Sequence, residues 1–473
     1  MVKYKNIGRA RPKLHPFGIC SSTSLNAAAV RAVRQACPEE ANLSAASGVG
    51  IAELRMGMPS DEVVIIRPPE RPEDPILITV SCPDKTGLGC NLCRVILLFG
   101  LSVVRGDFST DGRWCYVVFW VVDRGRKATR WNLLKKRLVE ACPPASLPFG
   151  NEIYYFSKHQ EMITEQKPQV FLLKFSCYDR TGLLHDVTEV LCELELTIWR
   201  VKVSTTPDGR VVDLFLITDP RELLHTKNRQ EETCIHLRAV LGDSMCTCDV
   251  DVASEEFAAC LQASASLPPP LTEDMLTSEV QHESYAPVPS SSFLSVSVDN
   301  ALSHAHSLIQ IQCHDHKGLL YDIMRTLKDY NMQISYGRFN AAEDGNCNID
   351  LFAVQKDGKK IVDQNKQNAL CSRLRMQLSS PLCVTLVSRG PDTELLVANP
   401  VELCGKGRPL VFYDITHALK MLDIRIFLAE IGRHVVGDRE WEVYRVHLGD
   451  DHELCASRDK IVKGVTKMLM GWH

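Results

Sequence analysis

One pattern recurs four times along this chain of 473 residues, and a pattern that recurs at this length has to fold as a recurring structural unit. The first copy runs from Ile76 to Asp123, the second from Val170 to Asp219 and the third from Ser307 to Gln355, with a fourth, weaker copy starting near Glu394. Each of the first three opens with a β-rich run ending in Cys-x-Asp: Cys82 and Asp84, Cys177 and Asp179, Cys313 and Asp315. Gly-Leu follows, and then an apolar stripe. In copy one the stripe is Leu88, Leu92, Val95, Ile96 and Phe99; in copy two it is Leu183, Val187, Val190, Leu191 and Leu194. This spacing is one face of a helix.

Two more β-rich runs come next, hinged at Asp111-Gly112, Asp208-Gly209 and Asp344-Gly345. Asp-Gly between alternating apolar residues signals a hairpin. A polar amphipathic helix is predicted over residues 131–140, 227–240 and 363–376, and a short run closes the unit, at residues 152–156 in copy one and 382–388 in copy three. The order β-α-β-β-α-β predicts an α+β fold of four ferredoxin-like units, each an antiparallel sheet with two helices on one face. The other face is left to be covered or made polar. The fourth copy stops after its second helix, near Met470, so its last strand is expected to be absent and the unit incomplete.

The expected layout is an extension over residues 1–55, units at 75–157 and 168–253, a linker at 254–304, and units at 306–389 and 393–473, the last degenerate. Residues 254–303 hold eleven Ser and five Pro, including Pro268-Pro269-Pro270, a composition suited to an extended linker. Two pairs of units with a hinge between the pairs is the arrangement this spacing suggests. Residues 1–38 carry seven basic residues and no acidic one, which resembles an organelle transit segment; the simpler reading is a disordered extension.

The formal net charge is −4, against the basic surface expected of a general nucleic-acid or anionic-membrane binder. The longest strongly apolar run, from Tyr116 to Val122, is too short to span a bilayer. The 19 cysteines are scattered, many within apolar periodic segments, and read as buried free thiols in a reducing, cytoplasmic setting.

The Asp-x-x-Gly-Leu loop between first strand and first helix is the candidate site. Gly allows close backbone approach, and the N–H groups of a helix N-terminus favour a small anion such as a carboxylate. The neighbouring Asp suits an ammonium group, so the loop suits a free amino acid. Capping of the helix by Asp84 or Thr86 needs the same residue types, and the residues alone leave both readings open.

The repeated strand, Asp-[Lys/Arg]-x-Gly-Leu, helix pattern resembles the ACT domain, a regulatory amino-acid-binding module. Four copies with no other domain resemble the plant ACT-domain-repeat proteins, and the likeness covers about Met56 to the C-terminus. It implies side-by-side pairing of units with a free amino acid held at the interface by the first loop. Carried over residue by residue, the amino-acid-binding candidates are Asp84, Thr86, Gly87 and Leu88; Asp179, Gly182 and Leu183; and Asp315, Gly318 and Leu319. The third copy has His316 where the others have Lys85 and Arg180. In the fourth, Gly407 replaces the Asp and Pro409 precedes the helix, which points to a structural role.

Other constellations fall away. RNA-binding RRM domains share the element order, but the aromatics of the third strand in copy one (Trp114, Tyr116, Phe119, Trp120) are not repeated in the other copies. His304, His306, His314 and His316 do not recur at zinc spacing. Cys90-x-x-Cys93 lies on a predicted helix with Cys93 off its apolar stripe, and Cys246-x-Cys248 lies in a strand. His185-Asp186 aligns with Tyr321-Asp322 and Tyr413-Asp414, which reads as a helix-surface feature rather than a metal dyad. No phosphate-binding loop or nucleophile elbow is found. The expected function is a non-enzymatic amino-acid sensor with no cofactor, metal, nucleic-acid or membrane partner; a regulatory partner of a separate enzyme and an assembly module are the alternatives.

Overall fold

The computed structural model describes residues 62–144, 169–254, 294–449 and 458–471 apart from short gaps, together with Leu267, Pro269, Leu271 and Thr272. Unit 1 comprises β1 (Val64–Arg67), β2 (Ile76–Pro83), α1 (Leu88–Leu98), β3 (Leu101–Thr110), β4 (Trp114–Asp123) and α2 (Trp131–Ala141). Unit 2 comprises β5 (Val170–Tyr178), α3 (Leu183–Glu193), β6 (Thr197–Thr205), β7 (Arg210–Thr218), α4 (Lys227–Leu241) and β8 (Met245–Val252). Unit 3 comprises β9 (Ser295–Asp299), β10 (Ser307–His314), α5 (Leu319–Asp329), β11 (Met332–Ala341), β12 (Asn346–Gln355) and α6 (Gln364–Ser379). Unit 4 comprises β13 (Cys383–Arg389), β14 (Asp392–Pro400), α7 (Val411–Met421), β15 (Ile426–Val436), β16 (Arg439–Leu448) and α8 (Arg458–Met470).

The α+β class and the repeated ferredoxin-like plan hold, but the connectivity of three units differs from the expectation. Only unit 2 takes its edge strand from the end of the unit, where β8 pairs with β5. In units 1, 3 and 4 the same slot is filled by a strand that precedes the unit: β1 on β2, β9 on β10 and β13 on β14, all antiparallel. The run at residues 382–388 therefore closes unit 4, not unit 3, and unit 4 is complete rather than missing a strand. The reason is local. β13 and β14 are joined by a tight hairpin, with Arg389 opposite Asp392, and so short a connection reaches the slot more readily than a return from the far end of a second helix. The run at residues 152–156 lies outside the described residues. Strand β9 falls inside the stretch expected as linker.

The units pair out of order. Two eight-stranded sheets run β1-β2-β4-β3-β11-β12-β10-β9 and β13-β14-β16-β15-β6-β7-β5-β8. Unit 1 thus joins unit 3 through β3 and β11, and unit 2 joins unit 4 through β6 and β15, in place of two consecutive pairs flanking a hinge. The first seam shows why. Gly106 lies opposite Phe339 and Gly337 opposite Phe108, so Gly-x-Phe on each strand fits the same motif on the other. Between them, Arg338 Nε stands 3.1 Å from Asp107 Oδ1. A Cβ at Gly337 would lie 2.6 Å from the Leu351 side chain of β12 and 3.6 Å from Phe108, so the tight neighbour of this glycine is Leu351. The second seam carries a complementary charge of its own, with Glu430 opposite Lys202.

Each sheet buries one face under its four helices, giving two large cores; Ile78, Phe119, Ile309 and Phe339 lie in one and Phe175, Phe215, Val397 and Val446 in the other. On the opposite face of unit 4, Leu271, expected in the linker, is fully buried against Leu396, Ala398, Val436, Trp441 and Val443. The helices of each sheet meet the corner loops of the other through buried and part-buried polar groups. The Tyr321 hydroxyl donates to the Glu402 carboxylate, and Arg94 Nη1 donates to the Gly407 carbonyl at 2.6 Å. Lys317 Nζ contacts both oxygens of Asp414, at 2.8 and 2.7 Å. Among the described residues no helix is long and apolar enough to cross a membrane.

Interleaving makes a simple prediction. A protease site inserted at residue 280 and cut should yield fragments carrying units 1 and 2 and units 3 and 4 that co-elute as one particle in size-exclusion chromatography. Separation of the fragments under native conditions would show that consecutive units pair instead. Leu271→Ala should lower unfolding stability by about 2–5 kcal/mol, the usual cost of truncating a fully buried leucine, measurable by urea denaturation.

Candidate functional site

The chain turns from each first strand into the following helix through a left-handed residue: Gly87 at φ +78°, Gly182 at +78°, Gly318 at +84° and, in unit 4, Leu410 at +63°. None of these four helices has a side-chain cap, so the helix-capping role open to Asp84 and Thr86 is not the one they take. The first helical N–H groups of α1, α3 and α5 donate back to the loop, Leu88 to the Lys85 carbonyl at 3.0 Å, Leu183 to Arg180 at 3.2 Å and Leu319 to His316 at 3.0 Å. The loop Asp residues share one structural duty. Their own N–H groups bond the hairpin turn, Asp84 to the Arg113 carbonyl at 2.8 Å, Asp179 to Gly209 at 3.0 Å and Asp315 to Gly345 at 2.8 Å.

A side chain of another unit lies over each predicted corner, from the side-by-side partner at Gly87 and Gly182 and from a unit of the other sheet at Gly318. At Gly87 it is Lys328 of unit 3, whose methylenes would stand 2.9 Å from an added Cβ. The Asp84 carboxylate accepts from Thr110 Oγ1 at 2.8 Å and from Gln333 Nε2 of unit 3 at 3.2 Å. At Gly318 it is Arg408 of unit 4, which donates to the Lys317 carbonyl and, at 3.1 Å, to the Leu469 carbonyl. At Gly182 it is Lys420 of unit 4, whose Nζ donates to Asp186 Oδ1 at 2.6 Å. Thr86 is exposed. Leu88, Leu183 and Leu319 are buried core residues at the helix starts.

Unit 2's corner differs from the others. A cavity of about 20 Å³, room for one water, is lined there by Asp179, Arg180, Gly182 and Asp213 of unit 2 and by Lys420 and Ile426 of unit 4. Asp213 is fully buried, and neither of its oxygens has a hydrogen-bond partner among the described residues. Burial first, and the nearby Asp179 carboxylate second, push its carboxyl well above the usual carboxylate range. Register shows how unusual this is. Cys82, Cys177 and Cys313 oppose Cys115, Val211 and Cys347, so two residues on, Val117, Asp213 and Ile349 occupy one equivalent core position. A cavity of the same size beside unit 3's corner is walled by Cys93, Leu97, Leu101 and Val103 of unit 1.

Beneath the corner, Asp186 is held by Lys420 and by Arg180 Nη2, the latter 2.5 Å from its Oδ2. Burial raises the Asp186 carboxyl, but the Lys420 and Arg180 hydrogen bonds outweigh it and hold the group below its ordinary range. His185 is buried against α7, its Nε2 3.0 Å from His417 Nδ1, and Thr188 Oγ1 lies 3.0 Å from Thr416 Oγ1. The pair His185-Asp186 is therefore an interface between units and not the helix-surface feature expected. Cys93 is likewise buried, because α1 packs on α5 as well as on its own sheet. Sequence reasoning passed over Asp213, although one acid in the inward series Val211, Asp213, Phe215, Ile217 is a visible signal. Lys420 carries no such signal, since it arrives from another unit.

Gly182→Ala and Gly209→Ala both place a side chain at positive φ, a cost of about 1–2 kcal/mol. Only the first would also meet Lys420, at 2.8 Å, while Gly209 faces open space. Urea denaturation should therefore show the larger loss for Gly182→Ala, with Lys420→Ala recovering part of it.

Known families account for most of the chain. Residues 66–143 match the family described as ACT domain-containing protein ACR10, N-terminal; residues 295–392 match the ACR9-like, ACT-like domain; and residues 393–471 match ACT domain-containing protein ACR9, C-terminal. The chain is 56% identical over 418 residues to ACT domain-containing protein ACR10 of Arabidopsis thaliana, covering 88% of this chain and 100% of that protein. It is 51% identical over 422 residues to ACT domain-containing protein ACR9 of the same plant, again covering 88% and 100%. A bifunctional uridylyltransferase/uridylyl-removing enzyme of Azospirillum brasilense is 36% identical over 88 residues, 18% of this chain and 9% of that enzyme. With its repeated ferredoxin-like units, the chain belongs to the plant ACT-domain-repeat (ACR) family.

Proposed function

We propose that this protein is a non-enzymatic regulator that binds a free amino acid at one corner, between units 2 and 4. The observation that carries this reading is Asp213, a buried acid without a hydrogen-bond partner among the described residues, at a position that is Val117 and Ile349 in units 1 and 3. An unpaired buried polar group costs about 1–3 kcal/mol, a cost that calls for an explanation, and a ligand in the adjoining cavity would supply one. An α-ammonium entering the cavity would give Asp213 its counter-charge. The first-turn N–H groups of α3, with the helix dipole, would take the α-carboxylate.

Entry requires the methylenes of Lys420 to leave Gly182. Because Lys420 belongs to α7 and pairs with Asp186 on α3, a ligand there changes the contact between units 2 and 4. That is the differential contact a regulatory response needs. In units 1 and 3 the position equivalent to Asp213 is Val117 or Ile349, so their corners offer no buried acid to an ammonium group. An enzyme regulated by this protein would be a separate chain that reads the altered contact.

A thermal-shift screen of the twenty amino acids against the full chain tests the site. A ligand at a hundred times its Kd adds about 2.7 kcal/mol of stability, a shift of a few degrees. Asp213→Val should abolish the shift while stabilising the unliganded protein by about 1–3 kcal/mol. A wild-type protein unmoved by every amino acid, or a shift unaltered by Asp213→Val, would sink the reading.

The pH dependence has a definite sign. With its folded value raised, Asp213 binds more protons in the native than in the unfolded chain. Its ionisation adds no cost below the unfolded value of about 3.9 and progressively more as pH rises from there toward the raised folded value. The stability difference between Asp213→Val and the wild type should therefore widen from pH 4 upward, followed by urea denaturation at a series of pH values.

A further inference from the structure

Unit 2 also carries a pair of thiols that the proposed amino-acid site does not use. Cys234 on α4 and Cys248 on β8 hold their sulfurs 3.0 Å apart. A disulfide needs about 2.05 Å, so closure by roughly 1 Å would join them. Both are only partly buried, whereas Cys82, Cys177 and Cys313, which end the first strands of units 1 to 3, are buried. Strand β8 lies at the end of its sheet, paired with β5 alone, so the movement strains one ladder.

Chemistry at the pair favours one sulfur as the nucleophile. The Cys248 thiol donates to Cys234, and Arg238 lies one turn further along α4. The Cys248 hydrogen bond, helped by Arg238, holds the Cys234 thiol below its ordinary range against burial and Asp249. The Cys248 thiol is correspondingly pushed up by that hydrogen bond and by burial.

We propose that Cys234 and Cys248 are a redox modification site, closed by hydrogen peroxide or an organic hydroperoxide into a disulfide that staples α4 to the edge strand β8. The Cys234 thiolate attacks the peroxide, the O–O bond breaks, and the leaving oxygen takes a proton and departs as water or alcohol. Cys234 is then a sulfenic acid. The Cys248 sulfur displaces its hydroxyl as water, its own proton going with it, and the S–S bond forms. Two thiols and one hydrogen peroxide thus give one disulfide and two waters, and a dithiol reductant reverses the change. In a reducing compartment such pairs are transient and regulatory. The staple would grip a row that matters: Cys248 lies opposite Phe175, and Phe175 lies opposite Asp213 on its other side.

Peptide mapping of the reduced full-length protein after graded hydrogen peroxide, with thiols blocked by alkylation, tests the site. The expected result is a Cys234–Cys248 cross-linked peptide, two hydrogens lighter, formed before any modification of buried thiols and lost on treatment with dithiothreitol. Cys248→Ser should trap a sulfenic acid at Cys234 that reacts with dimedone. Cross-linking of either residue to the exposed Cys246 in place of its partner would overturn the assignment, as would two thiols that stay alkylatable until buried cysteines oxidise. The wild-type map decides the question even where the serine variant fails to fold.

Discussion

An antiparallel sheet of four strands ends in an edge whose N–H and C=O groups need partners, and everything particular to this molecule follows from how that edge is satisfied. Each unit offers the strand after its first helix: β3, β6, β11 and β15. Joining two such edges produces an eight-stranded sheet and also lays the first helices of the two units side by side. That is how the corner of one unit comes to face the helix of another. Lys328 lies over Gly87 and Lys420 over Gly182 for this reason, since both lysines occupy the same turn of equivalent helices, α5 and α7.

The pseudo-symmetry is broken where function is expected. Three corners share the left-handed glycine, yet their surroundings differ. Thr110 and Gln333 satisfy the Asp84 carboxylate, and Arg408 binds the backbone around Lys317. At unit 2 the loop meets a cavity with a buried acid beneath it. Duplication supplies similar corners, and a change of residue sets one apart: Asp213 stands where units 1 and 3 have Val117 and Ile349, and the stability a buried acid costs would be regained were a cation to neutralise it.

Polar groups tie the two sheets to each other as well. Glu402 is almost fully buried and is approached by Tyr321, by Arg94 at 3.6 Å and by Lys328 at 3.5 Å. Buried ionic groups add little net stability but penalise misalignment strongly, because any shift leaves a charge without its partner. Lys328 therefore does two things, covering the corner of unit 1 and bonding the loop of unit 4.

The repeat, its helices and its hairpins could be read from the chain because they are local. Apolar spacing sets a helix face, Asp-Gly sets a turn, and Gly at φ near +80° sets each corner wherever the unit sits. Even the Gly-x-Phe motifs of β3 and β11 and the acid at residue 213 are visible once their equivalence is known. What the sequence could not decide was which units meet, which strand fills each edge slot, and which side chain covers each corner. Those outcomes are contacts between residues as far apart as Asp186 and Lys420, and they depend on competition among several similar edges. Local residue pattern is the same in every candidate pairing, so only the energy of the assembled sheets selects one.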